Sequence, residues 1–262
     1  MRSISIYSWF GYSIPMEERF RMIKAAGFNS TFFWWGDEFA EVDGPKEQHA
    51  EMARRQGLQV ENVHLPFENA NNLWLNNPEA DTLMNTYMRS LAECAAQNIP
   101  TAVLHLTEGA DFPDVNQLGF DRMKRLAEQA ERYSVNIALE NLRKPDHLKF
   151  ILSGIPSDRL GFCFDSGHQH CRTKDIDFLS LYGSRLMALH LHDNDESQDQ
   201  HRIPGEGTID WALLCKKLKA TRYTGAVALE AISGYAEHQD RESAEEFLKR
   251  AYESARSIEQ RL

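Results

Sequence analysis

The amino-acid sequence predicts a single (β/α)8 barrel of the α/β class, one domain spanning residues 1–262. Three observations carry this. Short apolar stretches of strand character alternate with helical patterns, which implies a parallel sheet. Eight such units in 262 residues match the size of a closed barrel. In four of the strands a small residue lies two places before a polar one. Both then face one side while larger apolar residues face the other. A narrow interior and an outer face covered by helices require that arrangement.

The units run in order. Arg2–Ser8 alternates Ile4 and Ile6 with serines, a first strand. Ser13 as a cap, an early Pro15 and the acids Glu17 and Glu18 open a helix, with Met16, Phe20 and Ile23 at helical spacing and Gly27 as its stop. Thr31–Trp35 is the second strand, and Gly44–Gln56 a polar helix ended by Gly57. Leu58–Leu65 and the long helix Pro78–Gln97 form the third unit, and Thr101–Thr107 with Asn116–Tyr133 the fourth. The fifth is Val135–Asn141 with Pro145–Leu152, and the sixth Leu160–Asp165 with Ile176–Tyr182. Arg185–His192 precedes a helix over Asp210–Leu218. Gly225–Ala231 precedes a last helix from about Asp240, with Phe247, Ala251, Ala255 and Ile258 on one face.

The same-face pairs are Ala138 with Glu140, Cys163 with Asp165, Ala188 with His190 and Ala228 with Glu230. Ile137, Leu139, Phe162, Phe164, Leu189, Leu191, Val227 and Leu229 face the opposite way. The polar member always ends its strand on the C-terminal side, where barrel enzymes place their chemistry. His64 and His105 reach that face from the third and fourth strands, and His168 lies just beyond Asp165. The stretch Leu189–Gly207, LHLHDNDESQDQHRIPGEG, leaves the seventh strand as a loop carrying Asp199 and His201 and closes on turn-forming Pro204, Gly205 and Gly207.

Imidazole nitrogens and carboxylate oxygens together suit Zn²⁺, Mn²⁺ or Co²⁺, and a carboxylate-rich subset also suits Mg²⁺. A single inward histidine reads as a hydrogen-bonded core residue. Glu140, Asp165, His190 and Glu230 together do not, because carboxylates gathered at one barrel mouth repel one another unless a cation joins them. These four are the expected metal shell, with His64, His105, His168, Asp199 and His201 as candidate additional ligands.

A net charge of −10 argues against an extended nucleic-acid surface. No stretch approaches the roughly 20 apolar residues that cross a bilayer. The N-terminal MRSISIYSWFGYS lacks the apolar run of a signal peptide, and Cys94, Cys163, Cys171 and Cys215 show no CxxC spacing. The expectation is a cytoplasmic protein with reduced thiols, Cys163 serving as small barrel filling.

The pieces ALEN (138–141), FDSGH (164–168), HLHD (190–193), PGEGTIDW (204–211) and ALE (228–230) resemble the xylose isomerase-like barrel superfamily over nearly the whole chain. Its sugar and sugar-phosphate isomerases and epimerases are the nearest in pattern. In its ketose 3-epimerase-like members the positions matching Glu140, Asp165, His190 and Glu230 bind one divalent metal, and the two glutamates act as acid and base. His168 matches a substrate-contacting histidine, whereas His201 stands where those epimerases have an arginine. The nine candidate ligands are also similar to the full set of the zinc-dependent apurinic endonucleases, which hold three zincs. The early loops, however, offer Trp9, Phe10, Tyr12, Trp34, Trp35, Phe67 and Trp74 where a phosphate-tracking enzyme needs Lys and Arg. Aromatic walls suit the apolar faces of a small sugar.

The leading expectation is therefore a metal-dependent sugar or sugar-phosphate isomerase or epimerase with one ion, up to three being compatible with the ligand set. One of Glu140 and Glu230 would remove a proton beside the substrate carbonyl and the other return it, through an enediolate on the metal. Substrate contacts are expected from His168, His192, His201, Glu206, Trp9 and Trp34. A multinuclear zinc phosphodiesterase and a lyase or dehydratase on the same site are the alternatives. The sugar, its phosphorylation, the metal and the oligomeric state stay open.

Overall fold

The computed structural model describes residues 2–234 and 242–262. Its strands are β1 (Ile4–Tyr7), β2 (Ser30–Trp34), β3 (Gln59–His64), β4 (Thr101–Leu104), β5 (Asn136–Glu140), β6 (Leu160–Asp165), β7 (Leu186–His190) and β8 (Val227–Leu229). Each pairs in parallel with the next through β7, and β1 also pairs with β8. Leu191 closes the ring: its N–H donates to the Ala228 carbonyl at 2.9 Å, and its own carbonyl accepts from the Glu230 N–H at 3.0 Å. The chain is a (β/α)8 barrel.

The helices are α1 (Met16–Ala26), α2 (Ala40–Asp43), α3 (Lys46–Arg55), α4 (Pro78–Ala96), α5 (Gln117–Tyr133), α6 (Asp146–Gly154), α7 (Ser166–Arg172), α8 (Phe178–Tyr182), α9 (Trp211–Ala220) and α10 (Ala244–Glu259). Their starts follow side-chain chemistry. Asn77 and Asn116 accept the Ala80 and Gly119 N–H groups at the heads of α4 and α5, and Ser243 forms a capping box with Glu246 at α10. The expected Ser13 cap is a correction. Pro15 takes the cap position of α1 without a side-chain bond, its fixed φ setting the entry. Gly27 ends α1 at φ 111°, a conformation that favours glycine. Asp240, the expected start of the last helix, lies outside the described residues.

Side-chain parity sorts the core into two layers. Ile137, Leu139, Phe162, Phe164, Leu189 and Leu229 are buried outward against helical residues such as Phe20, Leu91, Leu126 and Phe247. Val103, Ala138, Cys163 and Ala188 form a separate apolar cluster inside the barrel. Small residues below leave the polar residues at the upper strand ends space to converge. No described helix is long and apolar enough to cross a membrane.

The loop after β7 is held by Asp193, which is fully buried and turned away from the strand-end carboxylates. Its carboxylate accepts from the Gly205 N–H at 2.8 Å, the Ile209 N–H at 3.2 Å and the Trp211 indole at 2.7 Å. Removing it leaves three donors of PGEGTIDW without an acceptor. Asp193→Ala is expected to cost about 3 kcal/mol of stability. In a thermal melt this lowers Tm by roughly 6–12 °C; an unchanged Tm would contradict the assignment.

Candidate metal and active site

Every candidate ligand lies at the C-terminal end of a strand or just past it. His64, Glu140, Asp165 and His190 are the last residues of β3, β5, β6 and β7. His105 and Glu230 directly follow β4 and β8, His168 lies in the first turn of α7, and Asp199 and His201 lie in the loop after β7.

Glu140 is the hub. Its Oε2 lies 3.0 Å from His190 Nδ1 and 3.4 Å from His64 Nε2, and its Oε1 lies 2.9 Å from His168 Nδ1 and 3.3 Å from His105 Nε2. Glu230 Oε2 approaches the same His190 nitrogen at 3.5 Å. Asp165 ends β6 and caps α7, accepting the His168 N–H at 2.6 Å. Asn141 clamps its backbone through two 2.8 Å bonds, one to the Asp165 N–H and one to its carbonyl. The cap is why a helix follows the strand without a loop, a helix whose glycine and seven-residue length gave no periodic signal.

Burial and the surrounding histidines set the charge states. Burial pushes the Glu230 carboxyl well above the usual range, reinforced by the facing Glu140 and Asp165. Burial would also raise Glu140, but His105 and His190 hold it well below that range. It would raise Asp165 too, and His168 and His192 bring it down. His105 is pushed down to about 4 by burial, leaving a neutral imidazole, the form that ligates metals.

These residues fit a divalent cation. His105 Nε2 and His190 Nε2, beside Glu140, are buried without a hydrogen-bond partner, a costly state for polar atoms that a coordinated ion relieves. His64, Glu140 and His190 offer donor atoms within 4.8 Å of one another, as do Glu140, Asp165 and His168, and Asp165, His190 and Glu230. His192, His201 and Glu230 do so too, but the two rings stack with centroids 4.0 Å apart and planes 14° apart. Parallel rings aim their nitrogens along parallel planes, a poor start for converging on one ion.

The substrate contacts divide. Trp34 stacks on His64 at 5.6 Å, and Phe67 on His105 at 4.7 Å, forming an aromatic wall. Trp9 is 40% exposed in the loop after β1, with the Arg19 guanidinium over its ring. His192, expected to contact substrate, is fully buried, and its ring donates to Asp165 Oδ2 at 3.1 Å. Gly167 leaves room for it, since a Cβ there would strike the imidazole. Glu206, also expected to contact substrate, pairs its partly exposed carboxylate with Arg250 of α10. Two residues escaped the sequence reading. Phe32 stacks on His190 at 4.8 Å, hidden by the rule that large apolar side chains face the helices. Arg172 ends α7 and pairs with Asp199 at 3.0 Å.

A family model described as xylose isomerase-like TIM barrel matches residues 20–251. An uncharacterised Sinorhizobium fredii protein, y4fM, is 28% identical over 265 residues, covering 84% of this chain and 83% of that protein. The inosose isomerase of Bacillus velezensis is 26% identical over 159 residues, 55% of this chain and 56% of its own length, so this match spans about half of each. Among solved structures, the IolI protein with a bound zinc atom aligns at a TM-score of 0.78 and 17% identity over 98% of this chain and 97% of its own. The D-allulose 3-epimerase of Methylomonas sp., in complex with D-allulose, aligns at a TM-score of 0.78 and 14% identity over 100% of this chain and 98% of its own. Likeness at these identities is likeness of fold.

Proposed function

The chain belongs to the xylose isomerase-like TIM barrel family, and on that premise we propose that it is a divalent-metal-dependent isomerase or epimerase of a small sugar or sugar phosphate. One observation carries the reading. Asp165, His190 and Glu230 offer donor atoms within 4.8 Å of one another, Glu140 shares His190 in a second such group, and His190 Nε2 is buried without a hydrogen-bond partner. The isomerase among the relatives and the zinc-bound structural neighbour support it.

Asp165, His190 and Glu230, with Glu140 alongside, would hold the ion. When bound, it supplies Lewis acidity that polarises a substrate carbonyl and acidifies the neighbouring C–H. The chain's own residues do the rest. Glu140 and Glu230 both approach His190 Nδ1, and one takes the proton from carbon while the other returns it. Trp34 and Phe67 provide an apolar wall for the face of a sugar ring or chain.

The test is elemental analysis of the purified protein followed by turnover on a panel of ketoses and ketose phosphates. Chelator treatment is expected to abolish turnover, and a single added divalent ion to restore it. Turnover indifferent to chelator would overturn the reading. Cleavage of abasic DNA by protein holding three ions would replace it with the phosphodiesterase.

A further inference from the structure

We propose that Arg172 is the resident cation of the pocket formed by His168, Asp199 and His201, so that this pocket takes no metal ion. The inference rests on the metal reading above and limits it: the ions stay in the pockets around Glu140 and Asp165.

Three observations carry it. First, Asp199 Oδ2 is already engaged. It lies 2.9 Å from His168 Nε2, 3.0 Å from Arg172 Nη2 and 3.7 Å from His201 Nε2. An ion bound there would have to displace a guanidinium, whose charge is permanent and whose flat fork matches a carboxylate. Second, the three side chains do not converge as ligands. Among the described residues, no group whose donor atoms lie within 4.8 Å of one another includes Asp199. Zinc bound at about 2.0–2.2 Å would need its donors closer together than that. Third, the His168 ring is held between acceptors: Nδ1 lies 3.0 Å from the Asn141 carbonyl and Nε2 lies 2.9 Å from Asp199 Oδ2, so an ion would also have to displace the His168–Asp199 contact.

The position of Arg172 is fixed by the fold. It is the last residue of α7, the short helix that Asp165 caps from the end of β6. Its side chain is only 21% exposed, so its charge acts on Asp199 with little screening by water. The same strand end thus supplies an acid to the metal pocket and, seven residues on, a cation to its neighbour. The ligand inventory that matches a three-zinc enzyme is complete by residue type, yet one of its three pockets already holds a charge.

The test counts ions. The parent protein, Arg172→Ala, Arg172→Lys and Asp199→Asn are saturated with zinc, desalted and analysed for zinc per chain, with circular dichroism melts confirming the fold. The parent, Arg172→Lys and Asp199→Asn are expected to carry the same number of ions, and Arg172→Ala one more. An Asp199→Asn variant that loses an ion relative to the parent would overturn the proposal. So would an Arg172→Ala variant that folds but gains none, and if it fails to fold, Asp199→Asn decides alone. No zinc on any of the four proteins would overturn the proposed function as well. Zinc on the parent with no gain in Arg172→Ala overturns this inference alone.

Discussion

Asp165→Ala is expected to weaken divalent-metal binding at least about a hundredfold and to remove turnover with it. Asp165 contributes to two of the convergent donor groups, sharing one with Glu140 and His168 and the other with His190 and Glu230. It is fully buried, and both its oxygens are in use, one on the His168 N–H and the other on the His192 ring. Alanine therefore removes a proposed ligand, uncaps α7 and leaves two buried donors without an acceptor. Asp165→Asn separates these effects. It keeps an oxygen for the cap and the shape of the side chain but loses the negative charge, so it should fold nearly as well and still bind metal weakly. A competition titration against a chromophoric chelator measures both variants. Parental affinity in a folded Asp165→Ala would show that the ion, if any, sits elsewhere.

Glu140→Gln and Glu230→Gln are each expected to lower kcat by about 10²–10⁴-fold, the range lost when a positioned acid or base is removed. Glutamine is nearly isosteric and retains one oxygen. Substrate binding should survive better than turnover, so the effect should fall on kcat more than on KM. A coordinated carboxylate is a weakened base. It can still serve because the reacting C–H is acidified and held within reach. Near-parental kcat in both variants would end the two-glutamate proposal.

The sequence carries the barrel in its change of period, from strand alternation to helical spacing and back. Phe162 and Phe164 could be set facing the helices, and Cys163 the interior, from parity alone, and the structure places them so. The convergence of the strand-end residues was readable for the same reason, since one parity and one end of the barrel define one place. What was not readable depends on local geometry without a period. α7 is too short to show one, and with it went Arg172, whose role depends on meeting Asp199 across two loops. His192 shares parity with His190, but it lies past the end of β7, where the loop packs it under Asp165. Glu206 belongs to a motif on the right face of the barrel, yet Arg250 draws it to the surface.

The central claim is that this site moves a proton to and from carbon. It is tested most directly by turnover in D₂O with whichever ketose proves to be the substrate, reading deuterium at the carbon next to the carbonyl. Solvent deuterium at that carbon is the expected result for the parent, with the label lost in the Glu140→Gln and Glu230→Gln proteins. Turnover by the parent with no deuterium at that carbon, alongside near-parental rates in both glutamine variants, would contradict proton transfer and point to a hydride shift between carbons.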